Sequence, residues 1–255
     1  MKSWSIFAHS FGMVFRNLRQ ALQIGVVPVL LTFAVVYALL SLWGVSLSSF
    51  LNDEEALDLL VQTNSGFLFW GFLGVSLIIA IMMLWIVVSW HRFVLLEEYP
   101  QGWVPPFRFD RVLSYFGHGC LLGILMMVAM IPVFLILGVL VSGAPVLGGA
   151  VFFVLIVTIA VGFYRLVPIL PAAAIGKPLT LKESWAATAG ETGTFLGLMF
   201  IGFLFQMALN IVASLFMLIP VVGIVLVYLV LLVMSLVNVS ILTTLYGHYI
   251  EGRPI

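Results

Sequence analysis

The sequence predicts an all-α polytopic membrane protein: six transmembrane helices forming three hairpins, each preceded by an amphipathic interfacial helix. Three observations carry this reading. Apolar residues make up 64% of the 255-residue chain and charged residues only 8%, against roughly 25% in a soluble domain. Six apolar stretches reach the roughly twenty residues that a helix needs to cross the hydrocarbon core. All ten Lys and Arg lie at the ends of these stretches or between them, and only in alternate breaks, the pattern of the positive-inside rule.

Taken in order, Lys2, Arg16 and Arg19 precede the first stretch, 21–49. Within residues 1–22, Trp4, Phe7, Phe11, Val14, Leu18 and Leu22 recur every three or four positions, which predicts an amphipathic helix lying in the interface. Residues 1–20 are of mixed polarity and the run that follows is too long for a signal peptide, so the N-terminus is expected to be retained and inside. The break at 52–65 holds no Lys or Arg but carries Asp53, Glu54, Glu55 and Asp58. Asn52 followed by Glu55 suggests a capped short helix at the outer surface. Its four acids read more simply as a solvated face than as a divalent-cation site.

The second stretch, 66–90, leads to His91, Arg92, Arg108 and Arg111, and from Asp110 through Val112, Leu113 and Phe116 a second amphipathic segment is expected. Stretches three and four, 119–141 and 147–168, flank the uncharged turn 142–146, and the fourth ends on Arg165. The inner loop that follows contains Pro168, Pro171, Lys177 and Lys182. The prolines should end or kink the fourth crossing, and Thr180 with Glu183 forms a capping-box signature for a third amphipathic helix. Stretches five and six, 194–218 and 222–247, flank the turn 219–223, and Arg253 closes the pattern. Six crossings place both termini on the cytoplasmic side.

The three amphipathic segments suggest an internal repeat within a single integral membrane domain, 1–255. Ser10-Phe11, Ser114-Tyr115 and Ser184-Trp185 each pair a serine with an aromatic residue, and Pro28, Pro132 and Gly202 follow eighteen positions later. The units would span about 3–100, 108–178 and 180–252. Gly176-Lys-Pro178 and Gly252-Arg-Pro254 match at the ends of two of them.

Chemistry is sparse. The chain lacks a His-Glu-x-x-His motif, a Gly-x-Ser-x-Gly elbow and a phosphate-cradling glycine loop. No paired aspartates fall inside the stretches, so an intramembrane enzyme would lack its acids and bases. No enzyme activity and no cofactor are expected. The formal net charge is zero, which gives no field for nucleic acid. The single Cys120 forms no intramolecular disulfide or cysteine cluster. His9, His91, His118 and His248 all fall near the inner boundary and read as interfacial polar residues rather than metal or haem ligands.

Two groups stand as candidate sites. Arg92, Arg165 and Lys177 lie at the lipid boundary, where they would contact headgroup phosphates or simply snorkel. Gln206 and Asn210 share one helix face in the fifth stretch, and Asn238 lies within the sixth. Amides in hydrocarbon pair across helices or contact a polar substrate.

At the inner loop, Arg165, then Leu170-Pro-Ala-Ala-Ala174, then Leu181-Lys-Glu-Ser-Trp185 with Thr188 and Gly190 resembles a bacterial integral-membrane group. That group includes YciC-like proteins and the membrane domain attached to some glycerophosphodiester phosphodiesterases. Trp90-His-Arg-Phe-Val94 looks like the equivalent marker in the first half. The resemblance implies a six-helix protein of the bacterial inner membrane. With the chain ending at Ile255 and no phosphodiesterase domain in it, the resemblance is not expected to carry hydrolase activity over.

The functions left are a scaffold, assembly factor or accessory subunit partnered by membrane lipids, other integral membrane proteins or a second copy, and alternatively a transporter of a lipid-like or apolar molecule. Repeats favour transport. The missing midplane charges count against a proton-coupled form.

Overall fold

The computed structural model describes residues 1–42, 65–177, 179–219 and 222–255. The acidic stretch expected at 52–65 falls, up to residue 64, outside the described residues, as do residues 220 and 221 of the last outer turn. Every described element is a helix: α1 Lys2–Arg16, α2 Leu18–Leu42, α3 Ser65–Leu96, α4 Phe109–Gly143, α5 Pro145–Leu166, α6 Ile169–Ile175, α7 Leu181–Ala187, α8 Thr192–Phe216 and α9 Val222–Tyr249. Six spans are long and apolar enough to cross a membrane: Leu18–Leu42, Leu73–Leu96, Phe109–Gly138, Pro145–Ile175, Thr192–Phe216 and Leu226–Tyr249. The predicted all-α class and span count therefore hold.

Helix α4 stops at Gly143 and α5 begins at Pro145. Proline tolerates that first helical position because its missing N–H has no intrahelical acceptor there. Pro28 and Pro132 sit inside α2 and α4, where a proline removes one ladder hydrogen bond and bends the helix.

The three interfacial segments take three different forms. The first is the separate helix α1, which docks into the bundle by one face. Ser3, Ile6, Phe7, Ser10 and Val14 are buried, while Trp4 and Phe15 on the other face are exposed. It packs along α8 and α9, and Gly197 of α8 leaves room for the Ser3 side chain. The second segment is not a separate helix: residues from Phe109 onward are the first turns of the 35-residue α4. Gly117 and Gly119 lie at the junction with the third stretch, but neither takes a positive φ and the helix continues through both. The third is α7, one of the two shortest of the described helices. Thr180 Oγ1 accepts from the Glu183 N–H at 3.2 Å, and Glu183 Oε2 accepts from the Thr180 N–H at 2.8 Å. That is the capping box the sequence predicts.

The inner loop departs most from its hydropathy reading. Rather than ending in a surface turn, residues Ile169–Ile175 form α6, every residue of which is buried. It lies among α3, α4 and α9, and its three consecutive alanines let those helices approach closely. Gly176 ends it with φ +77°. The Lys177 N–H reaches Ala172 O at 3.0 Å and the Gly176 N–H reaches Ala173 O at 3.2 Å, a Schellman closure that requires a left-handed residue.

All ten Lys and Arg lie at the end of the bundle that holds α1, α6 and α7, called here the basic end. The core sits there too. One cluster joins Ile6, Phe7, Val88, Tyr115, Ile169, Phe195 and Leu245, and a second joins Val14, Ile24, Trp90, Phe93 and Leu236.

Candidate functional site

The basic end is held by side chains of α3 and α9 that hydrogen-bond across the bundle. Trp90 Nε1–H donates to Ser240 Oγ at 2.8 Å, and Ser240 Oγ–H donates to Leu236 O at 2.8 Å. One turn along, Thr243 Oγ1–H donates to Val239 O at 2.9 Å. Its only proton is then used, so the contact of 2.8 Å to His91 Nδ1 has His91 as donor, and His91 Nε2 is the unprotonated nitrogen. That Nε2 is buried with no hydrogen-bond partner. His91 also stacks near Tyr115, with ring centroids 5.6 Å apart. Helix α1 joins the network through Ser10, whose Oγ lies 2.9 Å from Thr244 Oγ1.

The two arginines expected to meet lipid are occupied by protein. Arg92 Nε donates to Glu98 Oε2 at 2.6 Å and Nη1 to Ala174 O at 3.3 Å, so it joins the end of α3 to α6. Arg108 Nη2 reaches the other oxygen, Glu98 Oε1, at 2.7 Å. Burial opposes the charge on Glu98, but the hydrogen bonds from Arg108 and Arg92 outweigh it and hold the carboxyl below its ordinary range. The turn that presents it places Glu97 at φ 56°, a conformation that costs a non-glycine residue about 1 kcal/mol.

Arg165 fastens α7 onto the end of α5. Nη2 donates to Trp185 O at 2.7 Å, and the guanidinium lies 3.7 Å from the centroid of the Trp185 ring. In return Ser184 Oγ donates to Arg165 O at 2.8 Å. The serine–aromatic pair noted in the sequence is thus the clasp of this joint.

Lys177 Nζ meets Glu251 Oε1 at 2.6 Å, and Arg253 Nη2 meets Glu251 Oε2 at 2.7 Å. The matched Gly-Lys-Pro and Gly-Arg-Pro turns therefore converge on one carboxylate, with Gly176 at φ +77° and Gly252 at +69°. Sequence reasoning noted the two turns but had no signal that Glu251 joins them.

The amides lie elsewhere. Gln206 Nε2 donates to Asn210 Oδ1 at 3.4 Å, and both residues are exposed on α8. Asn238 is exposed on α9. The three therefore face the outside of the bundle, and none lines a central pathway among the described residues. The buried hydroxyls that the sequence reading passed over are chiefly Ser240, Thr243 and Thr244. Their one visible signal was spacing, three hydroxyls within five positions of a mostly apolar helix.

Two sizeable cavities open at the basic end. One, of about 360 Å³, is bordered by His9, Thr243, Thr244, His248 and Arg253. The other, of about 510 Å³, lies between the start of α4 and the segment joining α6 to α7. Among the described residues no three His, Cys, Asp or Glu side chains come close enough to hold a metal ion. Comparison with protein-family models, with curated proteins and with solved structures finds no match to this chain.

Proposed function

We propose that this chain is a non-catalytic scaffold, assembly factor or accessory subunit of the bacterial inner membrane that associates laterally with other membrane proteins or with lipids. The observation that carries the reading is the outward placement of Gln206, Asn210 and Asn238 on helices that span the bilayer. Gln206 and Asn210 have only each other, which leaves most of their amide donors and acceptors unused. An amide facing hydrocarbon without partners is costly. A hydrogen bond to a neighbouring protein's helix recovers about 0.6–2 kcal/mol.

The charge pattern supports a cytoplasmic basic end with both termini on that side. The resemblance at Arg165, Leu170–Ala174 and Leu181–Trp185 supports the bacterial inner membrane. Transport of a lipid-like molecule is the competing reading.

Purification from the native membrane in mild detergent tests the choice. A stoichiometric protein partner is expected to copurify and to be lost when Gln206, Asn210 and Asn238 are replaced together by leucine, a change that favours membrane insertion. A chain isolated alone, holding one specific lipid that the leucine variant loses, would favour transport.

A further inference from the structure

The cavity of about 510 Å³ between α4 and the α6–α7 segment has a graded lining. Arg111 and Lys177 flank its mouth, Ser114 and His118 follow, and Leu121, Ile169, Leu179 and Leu181 supply apolar walls. Arg111, Ser114, His118 and Leu121 recur at three- and four-residue intervals along α4, so one helix face carries the whole gradient. At 1.5 Å per residue, His118 lies about 10 Å and Leu121 about 15 Å beyond Arg111 along the axis. The volume falls in the ordinary range for a bound small molecule.

The polar groups at the mouth retain capacity. Arg111 Nε meets only the neighbouring Asp110, at 2.9 Å, and that carboxylate is largely exposed, so solvent screens the pair and it holds the guanidinium weakly. Lys177 shares Glu251 with Arg253, so two cations divide one carboxylate. His118 Nδ1 lies 2.8 Å from Ser114 O. A carbonyl can only accept, so Nδ1 carries the proton and Nε2 is left open. Gly176 keeps the arrangement in place, because a Cβ there would overlap the Arg111 guanidinium.

We propose that this cavity binds a phosphate-ester group, that of an anionic phospholipid whose acyl chain runs along Leu121, Ile169 and Leu181. A phosphate suits the two donors at the mouth, since arginine engages its oxygens bidentately and lysine supplies a point charge. The apolar walls begin where the glycerol of a lipid would give way to its chain. The site is separate from the outward amides on α8 and α9, so either can fail alone.

The test is a titration of the full-length protein in non-ionic detergent with dioleoylphosphatidylglycerol and, separately, with glycerol 3-phosphate, counting bound ligand by native mass spectrometry. One phosphatidylglycerol per chain is expected. Arg111→Gln should weaken it about tenfold or more, the scale of one lost charge-assisted hydrogen bond. Gly176→Ala should weaken it by displacing Arg111. Arg19→Gln removes an exposed charge outside the cavity and should leave binding unchanged, as should the leucine variants of the amide face. Glycerol 3-phosphate bound with the same dependence on Arg111, and no lipid bound, would overturn the lipid assignment in favour of a soluble phosphate ester. Equal loss in the Arg19 and Arg111 variants, or no binding of either probe, would overturn the site. If Gly176→Ala does not fold, Arg111→Gln carries the test, because its side chain is partly exposed.

Discussion

The two ends of the spanning helices solve their packing differently. At the basic end, Ser3, Ser10, His91, Ser184, Thr188, Ser240, Thr243 and Thr244 are all buried, most of them in hydrogen bonds between elements. Farther along α4 and α8, away from that end, Met127, Val128, Ile131, Phe134 and Leu135, and likewise Phe203, Met207, Ile211 and Leu215, are exposed. In water such exposure would be penalised. In lipid it is not, because an acyl chain is as apolar as another leucine and supplies no drive to bury these residues. Hydrogen bonds and close fit must then specify which helices meet, and this chain concentrates both at one end.

The sharpest way to break the contrast is to hollow out the packed end. Trp90 is fully buried between α3 and α9, and Trp90→Ala should cost about 3 kcal/mol or more, read as a large fall in thermal midpoint in detergent. A smaller loss, about 1–2 kcal/mol, is expected for Gly176→Ala, which puts a side chain at a left-handed position; denaturation monitored by tryptophan fluorescence measures it.

A further test uses pH. Glu98 has its carboxyl held below the ordinary 4.5 in the fold, so its stabilisation is fully present above that value. It should be lost as pH falls through the lower folded value. Glu98→Gln should remove this part of the acid sensitivity, measured as thermal midpoint against pH between about 5 and 3. At the other extreme, Phe134→Ala on the exposed face of α4 should stay within about 0.5 kcal/mol of the parent. A loss comparable to that of Trp90→Ala would show that the exposed half is packed against something in detergent.

Much of this architecture was legible in the residues. Span length and the capping box at Thr180 follow from local rules that act within a few positions. The separate second interfacial helix did not appear, since amphipathic spacing alone cannot distinguish a free helix from the first turns of a longer one. The burial of α6 was hidden for a similar reason. A proline-flanked alanine run reads equally well as a turn, and only the gap among α3, α4 and α9 makes it a core element.

The candidate sites divide along the same line. Their residue types were readable, but their directions were not. Arg92 and Arg165 turn to protein carbonyls and to Glu98 or Trp185, and the amides turn outward. Helices such as α3 and α9 are apolar on every side, so no periodicity marks an inward face. By itself the sequence determined the membrane solvent, the number of spans and the end that carries positive charge, because those depend on length, hydropathy and charge position alone. Which face of each helix looks inward, which hydroxyls are shared between helices, and the meeting of the Lys177 and Arg253 turns on Glu251 were decided by tertiary packing. There, residues far apart in the chain compete for the same partners.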